Sequence, residues 1–239
     1  MNGLIALLGS GEYLPVMDGV DRYLLANCGA VGRKPRVVCL PTAAGNEGDA
    51  SVSRWSKMGV DHFTRLGADV QAVRVIDAES ANDPNHTASI EAADLIYFSG
   101  GDPGYVHRVM KDSLAWKAAQ SAWTRGAVYA GCSAGAMTLG RQIPDFRTLG
   151  LRTITAFGIL PVAFIIPHFD AIPGIWKPMV SALRRRLKED EIMIGIDEDT
   201  AIVGKLNGQW TVMGKAQAHV FTRGVGLVYR AGETFTMGK

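Results

Sequence analysis

Cysteine is too scarce in this chain to build on. Its three cysteines, Cys28, Cys39 and Cys132, are an odd number with no Cys-x-x-Cys spacing, which excludes a disulfide framework and a thiolate zinc site. A reducing compartment, the cytoplasm, is therefore the expected location. One-signed charge is scarce as well: 25 Lys and Arg against 23 Asp and Glu leave a net +2, and the longest basic run, Arg184-Arg-Arg186, falls in a helix-like stretch. That distribution reads as a solvated helix face, with neither a nucleic-acid footprint nor a membrane patch. Long apolar runs are missing too. Leu4 to Leu8 is shorter than a signal-peptide core and has no basic flank, and glycine and proline interrupt Ile159 to Phe169, so a soluble, untargeted protein is expected. The histidines show no His-Glu-x-x-His spacing, and no glycine-rich loop carries a phosphate-binding lysine, so neither metal nor cofactor is expected. Gly9-Ser-Gly11 begins a dinucleotide pattern after a strand, but Leu14 stands where its third glycine belongs.

Within those bounds, 239 residues at 47% hydrophobic suffice for one full core, and no repeat or linker marks a boundary inside 1–239. Apolar runs stopped by turn residues recur: Leu4 to Leu8, Arg36 to Leu40, Asp69 to Val75, Leu95 to Phe98, and a fifth ending at Cys132. Helix-like segments separate them. This alternation predicts a mostly parallel, doubly wound α/β sheet in a three-layer sandwich, with ligands outside the carboxyl ends of the strands. After a helix over Trp176 to Leu187 and a buried strand over Ile192 to Ile196, hairpin signals such as Asn207-Gly208 predict a C-terminal antiparallel cap on one sheet edge.

The chemistry-bearing stretch is Gly131-Cys-Ser-Ala-Gly135, a Gly-x-Ser-x-Gly turn after an apolar strand. Such a turn pushes its serine out on a strained backbone, the nucleophile elbow, although the pattern alone is only suggestive. Ser133 then needs a base. Of five histidines, His62, His86, His107 and His219 read as structural or surface residues, whereas His168 ends the apolar run at Pro167. For a carboxylate to orient that imidazole, Glu198, Asp170 and Asp145 compete. The N–H groups of Ala134 and Gly101 are the expected oxyanion donors, and Gly100, Asp102 and Asp170 the expected substrate contacts. Cys132 occupies the position before the nucleophile, so a catalytic role for it is not expected.

Four blocks in this order, Phe98-Ser-Gly-Gly-Asp102, Gly131-Cys-Ser-Ala-Gly-Ala136, Pro167-His-Phe169 and Gly195-Ile-Asp-Glu-Asp-Thr-Ala-Ile202, resemble the serine peptidases typified by dipeptidase E and cyanophycinase. The resemblance spans most of the chain. It implies a class I glutamine-amidotransferase-like fold, Ser133 as nucleophile, His168 as base and Glu198 as third member, with Asp145 kept open because the dipeptidase branch carries an Asp after its elbow helix. It also implies a small peptide substrate and suggests a homodimer. The chain departs from the cyanophycinase pattern at Pro103, where glutamine is expected, and in having no arginine from Asp170 to Pro178. An aspartyl preference of the dipeptidase kind needs a cation for the substrate carboxylate; Lys177 and Arg184 to Arg186 are the candidates. A related amidase or esterase, and a catalytically silent binding domain, are the competing readings on the same fold.

Overall fold

Each of the first apolar runs forms a strand: β1 (Ile5–Leu8), β2 (Arg36–Leu40), β3 (Asp69–Ala72), β4 (Leu95–Phe98) and β5 (Val128–Cys132). In the computed structural model of the protein, which describes residues 2–145, 148 and 152–237, these five run parallel in the order β3-β2-β4-β5-β1. The four central strands are apolar at successive positions because both faces of the sheet are covered. Ile5 and Leu7, Val38 and Leu40, and Ile96 and Phe98 face α3 (Pro84–Glu91), α4 (Pro103–Met110) and α5 (Leu114–Arg125) through Ile90, Val106 and Trp116. Ala6 and Leu8, Val37 and Cys39, and Leu95 and Tyr97 face α1 (Asp18–Ala26) and α2 (Asp49–Arg65) through Leu24 and Phe63. Each fully buried leucine contributes about 2 kcal/mol relative to exposure. Caps written in the sequence start α3, α4 and α5: Asp83, Asp102 and Ser113 each accept a backbone N–H of the first turn.

β3 ends at Ala72, short of the expected Val75. Val73 and Val75 are buried in the core, so their β-branched side chains serve packing after the chain has left the sheet. The second half of the chain builds a smaller sheet. Its β8 (Phe164–Ile166) and β9 (Met193–Ile196) lie parallel, covered by α7 (Lys177–Arg186) through Met179 and Leu183. Between β5 and this sheet come the short α6 (Ala134–Met137) and a two-stranded ribbon, β6 (Gln142–Pro144) with β7 (Thr153–Thr155). The expected cap exists in part: β10 (Thr200–Gly204), antiparallel to β1, then β11 (Gln209–Gly214) and β14 (Thr234–Thr236), each antiparallel to its neighbour, extend the large sheet. β12 (Gln217–Phe221) and β13 (Gly226–Arg230) instead pair outward from β9, giving the order β13-β12-β9-β8, because that edge of β9 was open to them. Among the described residues no helix is long and apolar enough to cross a membrane.

One ion pair ties the bottom of the large sheet together. Arg33 forks onto Asp94 at 2.5 and 2.7 Å, and Asp94 also accepts the Arg36 N–H at 2.8 Å where β2 begins. Burial pushes the Asp94 carboxyl up, but Arg33 and the Arg36 N–H outweigh it and hold it below the ordinary range. A folded-state pKa below the unfolded value of about 3.9 means that this stability is present above pH ~4 and is lost as pH falls through the folded pKa. Asp94→Ala is expected to cost about 1–3 kcal/mol at pH 7, with the gap to wild type narrowing near pH 3, as read from urea unfolding at both pH values.

Candidate active site

β5 ends in a turn that only this spelling tolerates. Ser133 sits at φ 48° and ψ −106°, with its N–H on Leu8 O at 2.9 Å, between the end of the strand and the start of α6. A Cβ on Gly131 would lie 2.5 Å from the Gly135 carbonyl carbon, and one on Gly135 would lie 2.7 Å from Phe98 Cβ. Both glycines are therefore required by close approach. A non-glycine residue in such a region stores roughly 1–3 kcal/mol of strain, held here by the surrounding sheet.

Two parallel neighbours in the small sheet deliver the partners of Ser133. Ile166 stands opposite Gly195 in the β8–β9 register, so the residues just beyond both strands emerge at one edge. His168, itself at φ 50°, follows β8, and Glu198 lies in the turn from β9 into β10. His168 Nε2 is 3.1 Å from Ser133 Oγ, and His168 Nδ1 is 2.8 Å from Glu198 Oε1. A carboxylate at Nδ1 selects the tautomer with its proton there, leaving the Nε2 lone pair for the serine hydroxyl. The turn that carries Glu198 is held from three sides. Asp170 Oδ1 accepts the Glu198 N–H at 2.8 Å, Ser10 Oγ accepts the Asp199 N–H at 3.1 Å, and the Thr200 hydroxyl donates to Glu198 O at 2.9 Å.

The three carboxylates in competition thus separate: Glu198 meets the imidazole, Asp170 meets the backbone of Glu198, and Asp145 lines another cleft with Asp102, His107 and Arg108. The remaining histidines are engaged elsewhere. His62 is buried against Asp21 at 2.8 Å, His86 contacts Ser80 O, His107 packs on Phe157, and His219 meets Asp197 at 2.9 Å.

The loop after β4 lines the same cleft as His168 through Gly101. Gly101 has φ 140°, and a Cβ there would lie 2.5 Å from Ala43 O, so the tight approach requires glycine. The N–H groups of Gly101 and Ala134 have no hydrogen-bond partner among the described residues. The residues expected to contact substrate each make a hydrogen bond within the protein. Gly100 N–H donates to Glu12 Oε1, Asp102 caps α4 by accepting the Tyr105 N–H, and Asp170 holds Glu198. Glu12 carries no signal of its own in the sequence, where Gly9-Ser-Gly11-Glu12 reads only as a truncated dinucleotide pattern. It also accepts the Cys132 S–H at 3.0 Å. Burial first, and then Glu12, push that thiol well above its ordinary range, so Cys132 is a structural donor.

These elements enclose a cleft of about 380 Å³ whose wall is formed by Met137, Ile166, Ala171, Ile172, Trp176 and Met179. Among the described residues, His168 and Glu198 are the ionisable side chains that line it. None of the four cations considered for a substrate carboxylate is among its lining residues. Lys177 lines a neighbouring cleft with Asp170 and Asp197, and Arg184 stacks over Phe221. Among the described residues no group of three or more His, Cys, Asp and Glu is placed to hold a metal ion. A hydroxyl, an imidazole and a carboxylate in one hydrogen-bonded line, beside two unengaged N–H groups, have the parts that nucleophilic acyl transfer requires.

Known proteins resemble this chain in sequence and in fold. A cyanophycinase of Synechococcus elongatus is 25% identical over 231 residues, covering 91% of this chain and 67% of the relative. A cyanophycinase of Trichormus variabilis is 25% identical over 169 residues, 66% of this chain and 55% of the relative. The crystal structure of a peptidase from an acI-B1 Actinobacterium superposes with a TM-score of 0.88 at 35% identity, over 99% of this chain and 97% of the other. A putative peptidase E from Listeria monocytogenes EGD-e shares the fold, with a TM-score of 0.63 at 17% identity over 97% and 100%. The sequence model of peptidase family S51 matches residues 5–208, and the chain belongs to that family of serine-type peptidases.

Proposed function

We propose that the protein is a serine exopeptidase of small peptides whose nucleophile is Ser133 and whose catalytic triad is Ser133, His168 and Glu198. The observation that carries this reading is the unbroken line from Ser133 Oγ through His168 to Glu198, at 3.1 and 2.8 Å. His168 Nε2 takes the proton as Ser133 attacks the scissile carbonyl and passes it to the departing amine, while Glu198 stabilises the imidazolium. The oxyanion forms toward the Gly101 and Ala134 N–H groups, and water attacking by the same route releases the acyl group. A cleft of about 380 Å³ is within the size of a small-molecule site, which fits a dipeptide-scale ligand. Three free, buried cysteines fit a reducing compartment, the cytoplasm.

The wall of the cleft bears on specificity. A substrate carboxylate there would be desolvated against Ile172, Trp176 and Met179 with no cation among the described lining residues, so the side chain beside the scissile bond is read as apolar rather than aspartyl. On a panel of dipeptides, kcat/KM is expected to be at least about 10-fold higher for Leu, Met or Phe at the first position than for α- or β-linked Asp. The reverse order would overturn the apolar assignment while leaving the nucleophile in place, and faster turnover of matched esters or simple amides than of any peptide would favour an esterase or amidase.

A further inference from the structure

The loop after β1 reaches the site from beneath. Glu12, only 9% exposed, spans the two sides of Ser133: Oε1 accepts the Gly100 N–H at 2.9 Å and Oε2 accepts the Cys132 S–H at 3.0 Å. A Cβ on Gly100 would lie 2.7 Å from Glu12 Oε1 and 3.3 Å from Ser133 Cβ, so the backbone at Gly100 is wedged between this carboxylate and the serine. The same loop fixes the opposite side of the cleft, where Ser10 Oγ accepts the Asp199 N–H beside Glu198. Its own conformation is unusual, since Tyr13 adopts φ 64°.

We propose that Glu12 is a positioning residue that sets the oxyanion site by holding the Gly100-Gly101 backbone against the Cys132-Ser133 turn. The proposal rests on the acyl-transfer reading. Two consecutive glycines have little conformational preference of their own, and an oxyanion donor is effective only if its direction is set before reaction. Glu12 supplies that constraint through one charge-assisted bond to Gly100, adjacent to Gly101, which lines the cleft. The second bond, from a thiol that burial keeps protonated, ties the carboxylate to the serine's own turn, so donor and nucleophile share one anchor.

The test compares Glu12→Ala, Glu12→Met and Glu12→Gln. Methionine keeps the volume without an acceptor for the Gly100 N–H, and glutamine keeps an acceptor oxygen. For the Ala and Met variants kcat is expected to fall roughly 10- to 100-fold, approaching the loss of one oxyanion donor, with KM within about threefold of wild type. A peptide aldehyde, whose adduct with serine places an oxyanion, should weaken by the same factor as kcat/KM, while product dipeptide inhibits as before. Glu12→Gln should recover kcat to within about fivefold of wild type. The proposal is overturned by wild-type kcat in the Ala and Met variants, by equal weakening of aldehyde and product, or by a Gln variant as poor as Ala. Loss of the native circular dichroism in all three variants would assign Glu12 to folding and overturn it too. An active Ser133→Ala enzyme would instead remove the acyl-transfer reading on which it stands.

Discussion

Ser133→Ala is expected to lower kcat toward peptides on the order of 10⁴- to 10⁶-fold, with KM little changed. The size follows from the role. Without the hydroxyl there is no acyl-enzyme, and His168 and Glu198 act as a unit with it, so what remains is the contribution of binding and of the Gly101 and Ala134 N–H groups. Substrate affinity is spared because the cleft wall of Ile172, Trp176 and Met179 is untouched. The measurement is single-turnover hydrolysis of the best dipeptide together with labelling by a fluorophosphonate probe. Wild type should label at Ser133 and the variant should not. Retention of wild-type turnover in the variant, or labelling elsewhere with Ser133 unmodified, would remove Ser133 from the mechanism, and failure of wild type to label at any pH would favour a catalytically silent domain.

Glu198→Gln carries the next largest effect, an expected fall in kcat of about 10³-fold. The amide can donate to Nδ1, which favours the wrong imidazole tautomer, and it cannot offset the charge on imidazolium. The loss is placed below the roughly 10⁴-fold seen when a deeply buried carboxylate is neutralised in this way, because the Glu198 side chain is 46% exposed and water screens it. Two comparison variants give the result its meaning. Asp170→Asn perturbs the acceptor of the Glu198 N–H and is expected to cost about 3- to 10-fold, and Asp145→Asn, in a different cleft, is expected to stay within about threefold of wild type. Either of these falling further than Glu198→Gln would transfer the orienting role to that residue.

Which parts of this were readable from residues alone follows the range of the forces involved. The parallel sheet was legible because a strand covered on both faces must be apolar at successive positions, and the runs Ile5–Leu8 and Leu95–Phe98 show this locally. Ser133, His168 and Glu198 were legible for a related reason: each lies within two residues of the end of a buried strand, where the chain must turn at the carboxyl edge. Choosing among Glu198, Asp170 and Asp145 was beyond local pattern, since all three follow strands or turns, and only the register of β8 against β9 places one of them on Nδ1. The allocation of β12 and β13 to a second sheet was likewise a matter of which edge was free.

The sequence by itself determined the elements, the spelling of the serine turn and the order of the residues that meet there, because strand burial, capping and glycine at sites of close approach act within a few residues. Tertiary structure alone decided how the candidate site is held and what lines it. Glu12 reaches Gly100 across 88 positions and Cys132 across 120, and the apolar wall gathers side chains from α6, β8 and α7 around a cleft with no lysine or arginine among its described lining residues. Such contacts leave no periodic trace in the chain, since they exist only once the sheet has brought its strand ends to one edge.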